Sequence, residues 1–180
     1  MNPFDTAFKK TMEHEGPMKL TNHRLDPGGR TFSGISRVHW PDWGGWTLVD
    51  MGRLGEAYLM VAGFYHINFW NKIQGDVVSQ SSLKIACEVF DTAVNTSVHK
   101  ASKILQETLN LLNRNGKEYK DIMVDGNIGP ITLIALQMSL STNPEKRILK
   151  VLNFLQNEHY ISLMRKYPEK EEFRGWFDRV

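Results

Sequence analysis

EGPMKLTNHRLDPGGRTFSGIS, residues 15–36, decides how this chain is read. Up to its first residue the sequence is helical. Asn2-Pro3 pairs an N-cap with a first-turn proline, and Phe4, Phe8 and Met12 recur at four-residue spacing. Gly16-Pro17 stops that helix, because proline lacks an amide hydrogen and clashes with the preceding turn. Beyond it the periodicity vanishes. From Met18 to Asp50 the chain holds Asp26-Pro27-Gly28-Gly29 and the run from Trp40 to Trp46, so it reads as loops with at most a short helix near Ser33–His39.

Helical spacing returns over Arg53–Phe69, with Leu54, Tyr58, Val61 and Tyr65 on one face. A further run after Ser79 carries Leu83, Ala86, Cys87, Phe90 and Val94, and Ser97 caps the next one. Residues 114–127 are polar and turn-rich, an expected exposed excursion. Pro130 then opens a helix to about Leu140, and Asn143-Pro144 opens a long one reaching Tyr167. Strand-like alternation is nearly absent. The fold class is mainly α, with at most a small β-hairpin.

Composition narrows the function. The 180 residues suit one compact domain or two small lobes, and 41% apolar with 23% charged residues is ordinary for a folded chain. The net charge is +2 and evenly spread: 8 basic and 7 acidic residues up to Gly75, then 14 and 13. No polybasic arm exists, so nucleic acid is not an expected partner. The lone Cys87 makes neither an internal disulfide nor a thiolate zinc site, and its apolar helical face implies burial. No apolar run suffices to span a bilayer, and Met-Asn-Pro-Phe-Asp lacks a secretory signal, so the expected chain is made in the cytoplasm without stable membrane insertion.

Metal and cofactor chemistry is not expected. His14-Glu15 would need a second histidine at Met18 to bind zinc, and the remaining histidines lack ligand spacing. Asp125-Gly126-Asn127 begins like a calcium loop but has Pro130 and Leu136 where Gly and Glu are required. Gly28-Gly29 follows a proline rather than a strand and cradles no phosphate.

Carboxylate chemistry is the remaining candidate. Glu15 ends a helix, where the macrodipole disfavours a second anion and so favours the protonated carboxyl that a general acid needs. Asp26 lies 11 positions on, in a turn that can fold back over the helix end, and Thr31 follows. A proton donor, a second carboxylate and a hydroxyl that holds water are the parts of an inverting glycosidase. The competing readings are a solvated Glu15 and an Asp26 that caps its own turn.

These residues also carry a resemblance. Glu15-Gly16, then Asp26-Pro27-Gly28-Gly29-Arg30-Thr31, then Gly34-Ile35-Ser36, resembles the N-terminal signature of glycoside hydrolase family 108. Those are lysozyme-like N-acetylmuramidases of phages and prophage regions. Phe90-Asp91-Thr92-Ala93-Val94-Asn95 is similar to the family's second helix. Asp125–Leu133 is similar to the accompanying predicted peptidoglycan-binding region, and Arg174–Val180 to the closing segment. Pro17-Met18 departs from the family's second glycine and aromatic residue.

The resemblance implies a lysozyme-like, two-lobed helical fold, with residues 1–75 the catalytic lobe and 76–180 the lobe of the peptidoglycan-binding type. It implies cleavage of the MurNAc–GlcNAc β-1,4 bond of bacterial peptidoglycan by a phage or prophage endolysin, with Glu15 as acid and Asp26 and Thr31 orienting the water. A catalytically silent wall-binding or secretion-assisting protein, and a lytic transglycosylase, are the alternatives on the same fold. Tyr65 and Trp70 are the expected cleft aromatics, with core packing as the competing reading. Asp91 and Asn95 share a helix face and are placed in the cleft on the resemblance. Trp40–Trp46 reads as a packed lid or structural cluster, and Trp176 as an anchor for the C-terminal residues. The expected state is a monomer. Without a signal, it implies a holin or another export route to the wall.

Overall fold

The computed structural model of the chain describes residues 2–15, 18–22 and 29–170, with Gly175 and Phe177; at His14, Glu15 and Asn22 it describes the backbone alone. The described residues are mainly helical with one small antiparallel sheet, the class that the sequence implies. They form two compact units, Met1–Asn68 and Phe69–Val180. Trp176 lies outside the described residues.

In the first unit, α1 runs Pro3–Glu15. The Asp5 amide donates to Asn2 Oδ1 at 2.7 Å, which satisfies one of the free amides at the helix start. Phe4, Ala7 and Met12 are buried. Three short strands follow: β1 Leu20–Asn22, β2 Arg30–Phe32 and β3 Ile35–Ser36, antiparallel in the order β1-β2-β3. The short helix expected near Ser33–His39 is not there. Phe32 instead pairs with Ile35 across the two-residue loop Ser33-Gly34, and both flanking side chains are fully buried. Ser33 has φ +47° and Gly34 φ +80°. Positive φ at both central positions gives the turn whose twist matches that of paired strands.

The helices α2 Gly45–Asp50, α3 Leu54–Leu59 and α4 Val61–Tyr65 come next, and α4 passes into a π-helical turn, His66–Trp70. The single helix expected over Arg53–Phe69 is thus broken at Met60. There the amide bonds to Ala57, three residues back, and ends the four-residue ladder.

The second unit is built from longer helices: α5 Gly75–Ser81, α6 Leu83–Asn95, α7 Val98–Leu112, α8 Pro130–Thr142 and α9 Glu145–Lys166. Ser82 and Ser97 cap α6 and α7, their hydroxyls accepting from the Ile85 and Lys100 amides at 3.0 and 3.1 Å. Ile85, Phe90, Leu105, Leu109, Leu136 and Ile148 are its fully buried core, and Cys87 is buried too. Among the described residues no helix is long and apolar enough to cross a membrane.

The stretch 114–127 is exposed over most of its length, as expected, but it is tied down at the buried Tyr119 and Gly126. Gln106 and Asn110 of α7 and Asn113, its C-cap, stand about one helical turn apart and clamp it. Asn110 donates to the Ile122 carbonyl at 2.8 Å and accepts from its amide at 2.9 Å. Asn113 accepts from the Gly116 amide and donates to Asp121. The buried Tyr119 donates its hydroxyl proton to the Leu109 carbonyl at 2.7 Å. Polar side chains facing a loop look like a solvated helix face in sequence, which is why periodicity missed them.

Candidate active site

Glu15 closes α1, so its backbone stands at the negative end of that helix, while its carboxyl lies outside the described residues. Asp26 also lies outside them; in sequence it falls between β1 and β2. Thr31 is the middle residue of β2, opposite Thr21 of β1 and Ser36 of β3. It is half-buried, and its hydroxyl donates to the Gly29 carbonyl at 3.2 Å. A hydroxyl whose proton is so engaged keeps its lone pairs to accept from water. Gly29 has φ +61°, and a Cβ there would stand 3.2 Å from Val38 Cγ2, so a glycine is required just before the strand.

Tyr65, at the end of α4, joins the two elements that carry these residues. Its ring packs on Phe8 of α1 with centroids 5.7 Å apart, and its hydroxyl donates to the Ser33 carbonyl at 3.0 Å. Ser33 is itself buried and left-handed, with a hydroxyl oxygen that has no partner among the described residues. Strain and an orphaned polar atom thus lie two residues from Thr31, as they do at many functional sites.

A charged brace holds the outer side of the sheet. Arg37 grips Asp50 at the end of α2 with two bonds, 2.7 and 2.8 Å, and Arg30, next to Thr31, also donates to it. The Arg37 hydrogen bond, then that of Arg30, holds the Asp50 carboxyl below the usual carboxylate range and outweighs its desolvation. All three groups are solvent-exposed, so the brace orients the sheet more than it stabilises it.

The remaining predicted site residues are placed as follows. Tyr65 is 1% exposed and Trp70 is fully buried. Trp70 meets Phe90 edge-on at 5.7 Å and donates its indole N–H to Asp76 at 2.9 Å. Both rings therefore brace helices. Asp91 is buried on α6, and Asn95, one turn on, donates to its carboxylate at 2.9 Å and to its carbonyl at 2.8 Å. Glu15, Thr31 and Tyr65 belong to the first unit; Trp70, Asp91 and Asn95 belong to the second. Among the described residues no cluster of His, Cys, Asp or Glu could hold a metal ion.

Two features went unread in the sequence. Within Trp40–Trp46, Trp46 is buried and donates its indole N–H to the Trp40 carbonyl at 2.8 Å, but Trp40 and Trp43 line an open recess with Phe64. The Trp-Pro-Asp-Trp order, aromatic rings flanking an acid, was the available signal. In the second unit, Asp125, Asn127 and Gln106 line a smaller cavity of about 180 Å³. Gln106 donates to Asp125 at 2.8 Å, and this bond, followed by the Asn127 amide, holds that carboxyl below its ordinary value. Gly126 has φ +80°, and a Cβ there would fall 2.1 Å from the His99 ring, so the Asp-Gly-Asn turn closes only with glycine.

Residues 8–96 match the family described as glycosyl hydrolase 108, and residues 100–180 match the one described as a predicted peptidoglycan domain. A search of curated proteins finds no match. Among solved structures, SagA of Brucella abortus aligns with a TM-score of 0.63 at 22% identity, over 98% of this chain and 91% of that one. At that identity the likeness speaks for the fold.

Proposed function

The chain belongs to glycosyl hydrolase family 108 through its residues 8–96, and from that premise we propose that it is an N-acetylmuramidase, hydrolysing the β-1,4 bond between MurNAc and GlcNAc. It is a glycoside hydrolase that carries a peptidoglycan domain over residues 100–180. The observation that carries the muramidase reading is the order of elements in the first unit. An acidic residue ends α1, and the sheet that follows centres on Thr31.

Hydrolysis with inversion divides the work between two faces of the sugar. Glu15 donates its proton to the leaving glycosidic oxygen, and its helix-end position keeps that proton available. Asp26 draws a proton from the attacking water while the Thr31 hydroxyl accepts from the same water. Tyr65 and Trp70 act on substrate through the elements they brace. Asp91 and Asn95, in the second unit, form a polar pair that binds glycan. The catalytic lobe over residues 1–75 takes in the whole first compact unit, and the remainder of the chain contacts the wall. The biological setting we propose is lysis by a phage or prophage endolysin, acting as a monomer and released to the wall by a holin or comparable lesion.

Mass spectrometry of muropeptides released from purified peptidoglycan tests the reaction. Reducing MurNAc ends are the expected product. Products with 1,6-anhydro ends would replace hydrolysis by transglycosylation, and binding without any release would leave a wall-binding protein.

A further inference from the structure

The recess in the first unit has a volume of about 320 Å³ and is unused by the chemistry above. Three rings line it, Trp40, Trp43 and Phe64, and His39, Asp42 and Asn68 supply polar groups. The rings are held. Trp40 meets Phe64 edge-on at 4.9 Å, and Trp43 meets Phe64 at 6.1 Å and Trp46 at 5.4 Å. Gly45 keeps room for Trp43, since a Cβ there would fall 2.2 Å from its ring. Asn68 donates to the Phe64 carbonyl at 2.9 Å, which fixes the plane of its amide.

Rigid aromatic surface left open to water makes a binding site that loses little entropy when it is filled. Trp40 is 36% exposed although its neighbour Trp46 is buried. Flat apolar faces beside an imidazole, a carboxylate and an amide match a pyranose ring, which presents C–H faces and hydroxyl edges. The volume sits at the small end of ligand pockets, where pockets begin at about 300 Å³. It suits one sugar with its acetamido arm. Asp42 forms no ion pair among the described residues, so its carboxylate accepts from hydroxyls and repels an acidic substituent. Of the two sugars that alternate in peptidoglycan, one carries a lactyl ether and a peptide, and the other is small and neutral.

We infer that this recess binds one N-acetylglucosamine unit of the glycan strand, with Trp40 as the stacking surface and Asp42 as the hydroxyl acceptor. The choice of sugar rests on the peptidoglycan reading, while the recess itself does not depend on catalysis. The test titrates the full chain carrying Glu15→Gln with the trisaccharide of N-acetylglucosamine, by calorimetry and tryptophan fluorescence. Trp40→Ala weakens binding about tenfold, as expected for the loss of one aromatic stacking partner. Trp40→Phe restores most of the affinity, and free N-acetylmuramic acid does not compete. Asp42→Asn, at an exposed position, weakens binding a few-fold and serves if Trp40→Ala fails to fold. Equal affinity in Trp40→Ala and Asp42→Asn, or no binding by the parent, overturns the inference. If the wild-type chain releases nothing from peptidoglycan while trisaccharide binding still depends on Trp40, the recess stands and the muramidase reading falls.

Discussion

The two compact units of this chain are stabilised in different ways. The first has strands of two and three residues and α2 to α4 of five or six, too short to be stable alone. It is held by rings: Phe4 on Phe8, Phe8 on Tyr65, Tyr65 on Phe64, Phe64 on Trp43, and Trp43 on Phe32 and Trp46. The second has helices of up to 22 residues, side-chain caps and buried amides that join neighbouring segments. Specific ring contacts fix irregular backbone. Repetitive helix packing needs no such device.

The largest effect that would break this comparison is Trp46→Ala. It deletes a buried indole and the bond that ties Trp40 to α2, and should cost about 3–5 kcal/mol in denaturant titration. A cost below about 1 kcal/mol would mean that the ring cluster does not hold the first unit.

Gln106→Ala probes the second unit. This amide accepts from Gly126 at 2.8 Å and offers two protons to three acceptors, of which Thr132 at 3.3 Å is the weakest bonded. Its removal orphans buried groups and should cost about 1–3 kcal/mol, with faster amide exchange over residues 121–128. Unchanged exchange there would show that the loop does not depend on the α7 amides.

The smallest effect concerns pH. Burial, and secondarily the Lys100 ammonium, push the His159 imidazole below its ordinary value of 6.5. The unfolded chain therefore takes up this proton first. As pH falls through about 6.5 the fold loses stability, and the loss continues until the native imidazole titrates. Denaturation midpoints should decline on going from pH 7 to pH 5.5, and His159→Gln should flatten that part of the slope. An equal slope in the variant would remove His159 as its source.

The same contrast explains what the sequence disclosed. The helices α6 and α7 were legible because amphipathic runs carry a strong periodic signal, and α8 and α9 because Pro130 and Asn143-Pro144 mark their starts. The place of the small sheet was not, since three residues of β2 show too little alternation and its identity rests on a turn, Ser33-Gly34. The amides at 106, 110 and 113 looked like a solvated face because a clamp and a wet surface use the same residue types. Glu15, Asp26 and Thr31 were legible as a motif. The recess at Trp40 was not, because it exists only where Phe64 and Asn68 of a later segment meet that loop.

The central claim is that Glu15 is the acid of a glycosidase. Reducing-end release from purified peptidoglycan by the wild-type chain and by Glu15→Gln tests it most directly, with thermal melting as the control for folding. Losing a general acid costs about 10²–10⁴-fold. The account predicts a loss in that range at an unchanged melting midpoint; turnover by the variant comparable to wild type would contradict it.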